Sequence, residues 1–286
     1  MTRLTSVEEL IDAAARRLLL QLPDSGLSGK LVEFLVFGLK QAWACLFGGL
    51  FLGLVLITGF VWPEHAAITR YDFLFGAALL IQILMLVLKL EQPAEALVIL
   101  AFHIVGTVME VFKTAHGSWA YPEASLFHIG GVPMFSGFMY AAVGSYIARA
   151  TRIFDFYYTG YPRFWGCAAL AVAVYINFFS HHYIWDFRYV LFAASALLFW
   201  RCHVHYRVFR FRHQMPMILG FILVALFIWI AENLATWSKV WLYPQQRHVW
   251  SMVSVEKFGS WYLLMIISFV LVNLIHKPRT LPAAYK

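Results

Sequence analysis

"MEVFKTAHGSWAYP" at residues 109–122 and "AENLATWSKVWLYP" at residues 231–244 are two versions of one pattern: an apolar run, a glutamate near its end, then Thr, Trp, Tyr and Pro. They align without a gap at an offset of 122 residues, which pairs Glu110, Thr114, Trp119, Tyr121 and Pro122 with Glu232, Thr236, Trp241, Tyr243 and Pro244. The register continues to Gly137 and Tyr140 against Gly259 and Tyr262. In the other direction "WAC" (43–45) meets "WGC" (165–167), and after a shorter loop "RYDFLFGAALL" from Arg70 meets "RYVLFAASALL" from Arg188. Landmarks repeated in the same order predict a tandem duplication.

The repeated unit is a membrane one. The chain is 62% hydrophobic and 13% charged, with a mean hydropathy of +0.70, too little charge to cover a soluble domain of 286 residues. Apolar runs of the length that crosses a bilayer lie near 43–62, 72–90, 94–113, 132–150, 164–182, 187–203, 216–236 and 258–276. The expected fold class is an all-α integral membrane protein of about eight transmembrane helices, arranged as two parallel four-helix repeats. Four spans is an even number, so both halves keep one orientation about an axis along the membrane normal. Residues 43–150 form the first repeat, 151–163 a cytoplasmic linker, and 164–286 the second repeat with a short tail. Residues 1–42 form amphipathic interfacial helices: Ser6 and Glu9 have capping-box spacing, and Lys30, Glu33 and Lys40 share a face of a second helix. The start, "MTRLTSVEELIDAAARRLLLQLP", is charged and amphipathic, unlike a secretory signal.

With the N-terminus inside, sixteen of the 22 Lys and Arg residues fall on the inner side, Arg3 and Lys286 among them. That is the bias of a protein of the bacterial inner membrane with both termini cytoplasmic. The net charge of +7 therefore calls for no nucleic-acid partner. Cys45, Cys167 and Cys202 lie in or beside apolar runs and read as buried thiols. No glycine-rich phosphate loop, serine elbow or CxxC pair is present. The basic stretch "CHVHYRVFRFRH" (202–213) reads as an anionic-lipid contact, and Trp62, Trp185, Trp241 and Tyr243 read as an aromatic belt.

Candidate chemistry gathers at the outer ends of the spans. At about 1.5 Å per residue, Glu110 and Glu232 stand roughly 24–26 Å above the inner helix starts. The second half alone carries "NFFSHHYIWDFR" (177–188), where Asn177 and His181, and His182 and Asp186, are each four apart. His103, Thr107, Glu110 and Thr114 form a polar stripe in the first half, Asn233 neighbours Glu232, and His128 and His248 lie in outer loops. Glu110, Glu232, His181, His182 and Asp186 are the candidate catalytic groups, with His103, Thr114, His128, Asn177, Asn233 and Thr236 as candidate substrate contacts. Two chemistries suit the set: a divalent metal on His181, His182 and Asp186, or acid–base work by carboxyl groups at a dry boundary. Interhelical hydrogen bonding without bond-making accounts for the same residues. The expected partners are membrane lipid and a lipophilic small molecule. The alternative is a transporter or binding protein for a small solute, with the glutamates as protonatable coupling groups.

"MEVFKTAHGSWAYPE", "GGVPMFSGFMYAAVGSY" and "HHYIWDFRYVLF" resemble the YoaT-like family of bacterial integral-membrane proteins of unknown function, over most of the chain after the N-terminal helix. That resemblance implies an architecture and no reaction. "GSWAYPEASLFHIGGVP" is more weakly similar to the membrane carotenoid cyclases and hydratases, which would imply an isoprenoid substrate. Those proteins have a paired-acid PxEE motif where this chain has Pro122-Glu123-Ala124.

Overall fold

A computed structural model describes residues 4–19, 26–63 and 65–280; Arg3 and Lys286 lie outside the described residues. The architecture is mostly helical, with ten helices among those residues: α1 (Ser6–Leu19), α2 (Gly26–Ala44), α3 (Leu46–Val61), α4 (Arg70–Val87), α5 (Pro93–Ala115), α6 (Ser136–Ile153), α7 (Phe164–Ser180), α8 (Arg188–Phe199), α9 (Met217–Trp237) and α10 (Val255–Ile275). Four of them, α4, α5, α9 and α10, are long and apolar enough to cross a bilayer. The pair α2–α3, bent by 70° at Cys45, makes a fifth candidate, while α7 and α8 are apolar but shorter. By these helices the chain is a multi-pass membrane protein.

One end of the bundle departs from the all-helical expectation. The run near 187–203 stops being helical at Phe199, and three antiparallel strands follow one another in space: β1 (Tyr157–Thr159), β2 (His203–Arg207) and β3 (Arg212–Pro216). The reason is a period of two: Val204 is buried between partly exposed His203 and His205, and it pairs with Met215. The turn of this hairpin is held by Glu33, whose carboxylate accepts from the backbone N–H of Phe209, Arg210 and Phe211 at 3.3, 2.7 and 3.4 Å. Glu33 is therefore buried, not displayed with Lys30 and Lys40 on one polar face of an interfacial helix. Lys40 donates to the carbonyls of Ile153 and Arg207. Cys45, expected to be buried, is exposed, whereas Cys167 and Cys202 are buried.

The same end holds an ionic network that the sequence gives little warning of. The capping box of α1 is Thr5 with Glu8, one residue earlier than Ser6 with Glu9. Glu8 also accepts from Trp43 Nε1 at 3.0 Å and pairs with Arg152. Arg152 forks onto both oxygens of Glu95 at 3.0 and 3.1 Å. Arg149, fully buried, bridges to Glu91, which also accepts from Ser145 and Gln82. Helix α1 is thereby tied to α6, and through Arg152 to α5, by buried charge.

At the opposite end α5 and α9 finish in the same way. The cap N–H of His116 reaches the carbonyls of Phe112 and Thr114, and that of Ser238 reaches those of Leu234 and Thr236. Gly117 and Lys239 then take left-handed conformations with φ of 68° and 59°. Beyond these turns Ala120 and Leu242 exchange both backbone hydrogen bonds at 2.9 Å, forming an antiparallel bridge between corresponding residues of the two similar segments.

Removing one partner of a buried ion pair leaves the other charge uncompensated. Arg149→Met should thus cost about 3–5 kcal/mol or abolish folded yield, and adding Glu91→Gln should recover a large part, read by thermal unfolding in detergent. A milder dependence belongs to Asp155, which accepts from Arg279 at 2.6 Å and from Arg212 at 3.1 Å. Burial pushes its carboxyl up, but the hydrogen bonds and charges of Arg279 and Arg212 outweigh that and hold it below the ordinary carboxylate range. A depressed carboxyl contributes stability above its unfolded pKa of about 3.9 and loses it as pH falls through the lower folded value. Asp155→Asn should cost up to about 1 kcal/mol at pH 7, since this pair is well exposed. The gap between variant and wild type should close below about pH 4.

Candidate functional site

Glu110 lies just over one turn before the end of α5. The chain leaving α5 turns back, so that Trp119 Nε1 and Tyr121 OH donate to Glu110 Oε2 at 2.7 and 2.8 Å. Tyr140 OH, from α6, donates to Oε1 at 2.8 Å. Glu232 is held by the equivalent tyrosine, Tyr243, and by Trp261 Nε1 of α10 at 2.7 Å. Both carboxylates are buried. Trp241 and Tyr243 are buried too, so this Trp-Tyr-Pro segment faces the protein and not the bilayer boundary; Trp185, 85% exposed, does face outward. The two grips differ. Tyr262, the counterpart of Tyr140, bonds to Ser195 at 2.9 Å and leaves Glu232 with two donors where Glu110 has three.

Lys257, two residues into α10, stands between the two similar segments. Its Nζ lies 4.6 Å from the ring centre of Tyr243 and 5.1 Å from that of Trp119, a cation–π contact with one ring from each similar segment. It is close enough to act electrostatically on both glutamates.

A second group assembles beside it. His181 Nδ1 faces the Asn177 carbonyl at 2.9 Å, which places the ring proton on Nδ1 and leaves Nε2 as an acceptor. Nε2 of His181 and Nε2 of His182 then lie 3.0 and 2.8 Å from the ammonium of Lys113. Asp186 turns elsewhere, accepting from Asn177 Nδ2 at 3.0 Å and from Arg188 Nε at 2.6 Å. His181, His182 and Asp186 thus do not converge on one point, and among the described residues no three His, Cys, Asp or Glu side chains are grouped as a metal site. A lysine occupies the position where the two imidazole lone pairs meet.

Both groups open on one cavity of about 1000 Å³. Glu110, Glu232, Lys113, Lys257, His181 and Asp186 lie on its wall, with Asn177 and Arg188. Its remaining walls are largely apolar, including Phe51, Val55, Val174, Phe221 and Leu263, and it continues to Phe37 and Tyr206 beside the hairpin. The other candidate contacts stand off this wall. His103 packs on Phe138, with its buried Nδ1 unpartnered among the described residues. Thr114 Oγ1 is likewise buried without a partner there. His128 is exposed and bonds the Ser125 carbonyl. Asn233 bonds Trp229 and Val253, while Thr236 receives Trp250 and Gln246, so both hold the loop after α9. Lys113, Lys257 and Trp261 are the site residues that sequence reasoning missed. The available signal was a lysine at one end of each of two apolar runs, Lys113 closing 94–113 and Lys257 preceding 258–276.

The family described as "Protein of unknown function (DUF817)" matches residues 33–269. The uncharacterised protein YoaT of Bacillus subtilis strain 168 is 42% identical over 236 residues, 82% of this chain and 89% of that protein. Among solved structures, a cross-linked MvINS trimer matches with a TM-score of 0.45 at 13% identity, covering 66% of this chain and 98% of that one.

Deleting one donor to a buried carboxylate strands its oxygen. Tyr140→Phe should therefore cost about 1–3 kcal/mol in a thermal or denaturant melt, and pairing it with Glu110→Gln should shrink that cost, because a neutral amide needs its donors less.

Proposed function

This chain belongs to the DUF817 family, and we propose that it carries out acid–base conversion of a lipophilic membrane substrate in the cavity between Glu110 and Glu232. Helices α3–α6 and α7–α10 would be two parallel four-span repeats of an inner-membrane protein with cytoplasmic termini. The excess of Lys and Arg on one side supports the orientation, and the matching ends of α5 and α9 with the Ala120–Leu242 bridge support the duplication. The observation that carries the chemical reading is the cavity itself. Two buried carboxylates face one largely apolar space with a lysine close to both.

Within this reading the glutamates divide the work. Glu110, gripped by three donors, is held as a fixed negative charge that stabilises a developing cation. Glu232, with fewer donors, exchanges the proton through Tyr243. His181 and His182 position Lys113, and Asp186 positions Arg188. A metal-assisted variant on the histidines would require Lys113 to move out of their lone-pair directions.

The test is exchange into carbon-bound positions. Proteoliposomes holding the chain and lipid extracted from its host membrane are incubated in D2O, and the lipids are examined by mass spectrometry. Wild type should introduce deuterium at carbon, or a new lipid mass, into one lipid class; Glu232→Gln should not. Identical lipid spectra for the two proteins would overturn the proposal. One observation favours transport of a small solute instead: the cavity reaches from the carboxylates to Phe37 and Tyr206 near the other end of the bundle. Proton uptake driven by a solute gradient, lost in Glu232→Gln with the lipids unchanged, selects that reading.

A further inference from the structure

Lys113 is a cation without an anion. Its side chain is buried, and its ammonium lies 4.5 Å from the ring centre of Phe178 and within hydrogen-bond distance of two imidazoles. Those partners are neutral acceptors: they aim the ammonium but do not balance its charge. Among the described residues no carboxylate is within ion-pair distance of Lys113. Asp186, an acidic group whose field reaches it, is already engaged by Arg188 and Asn177. Lys257 and Arg188 deepen the positive potential at Lys113, and Lys257 is itself set against Glu110 and Glu232. Holding an ammonium away from water without a counter-charge is strongly unfavourable. Its neighbourhood, moreover, opens on a space lined mainly by hydrocarbon.

We propose that Lys113, aimed by His181 and His182 and backed by Arg188 and Lys257, is a receptor for the anionic head of an amphiphile, a carboxylate or phosphate, whose apolar chain occupies the cavity. The inference rests on the reading of that cavity as a lipophilic substrate site and names the substrate class it takes. A planar or tetrahedral oxyanion would accept from the free N–H of Lys113, replacing the missing charge, while the chain runs between Val174, Phe221 and Leu263. The glutamates lie along the same wall from this head position, so the group they act on would be in the chain near the head.

Binding by the full chain in a neutral detergent tests this with palmitate, hexadecyl phosphate, hexadecanol and inorganic phosphate, measured by calorimetry. Palmitate and hexadecyl phosphate should bind at least about tenfold more tightly than hexadecanol, the worth of one charge-assisted hydrogen bond. Lys113→Met should erase that preference while leaving hexadecanol binding in place, and Lys113→Arg should keep it. The head-group comparison is made on wild type and holds whether or not Lys113→Met folds. Equal binding of palmitate and hexadecanol overturns the anion receptor and leaves the lipophilic cavity standing. Inorganic phosphate binding as tightly as hexadecyl phosphate overturns the amphiphile. No binding by any of the three amphiphiles overturns the cavity reading along with it.

Discussion

A carboxylate inside an apolar helical bundle has to be met by donors from the protein, because the surrounding hydrocarbon supplies none. Glu110 and Glu232 impose that condition near the ends of α5 and α9, and the local architecture answers it. The chain leaves each helix through a left-handed residue, reverses, and returns a tyrosine to the carboxylate it has just passed. The Ala120–Leu242 bridge ties the two reversals together, so neither can shift without the other. Trp119 and Tyr243, brought edge to face with ring centres 6.0 Å apart, then make the platform on which Lys257 rests.

The same condition governs the other end. Glu91 lies in the turn between α4 and α5 and Glu95 in the first turn of α5, and the arginines of α6 enter the bundle to reach them. Glu8 joins the network from α1, and Glu33 from α2 caps the hairpin turn. Buried ion pairs are a costly way to hold helices together, because each charge gives up its hydration to make one. Here the Glu8–Arg152 pair holds α1, and the Glu33 carboxylate of α2 holds the hairpin turn by its backbone N–H groups, at the end of the bundle opposite the two glutamates.

Much of this could be read in the sequence, and the divide follows physical lines. Apolar runs reported helices, since burial against lipid or neighbouring helices needs only hydrophobic side chains at the right period. The likeness of 109–122 to 231–244 picked out the two glutamates. The hairpin was missed because its short alternation sits directly after an apolar helix and is dense in charge. Trp241 and Tyr243 look like a boundary belt in the sequence because only the reversal of the chain after α9 buries them and brings Tyr243 back to Glu232, eleven residues behind it.

What the sequence by itself determined is the membrane character of the chain, its succession of helices, its family and the pair of glutamates near helix ends; each rests on composition or on local repetition. The tertiary structure decided which polar groups meet. Lys113 finds His181 and His182 across 68 and 69 residues of chain, and Lys257 finds rings from both similar segments. Such pairings depend on how helices rotate and pack, and hydrophobic periodicity reports which face of a helix is buried without reporting what stands opposite it.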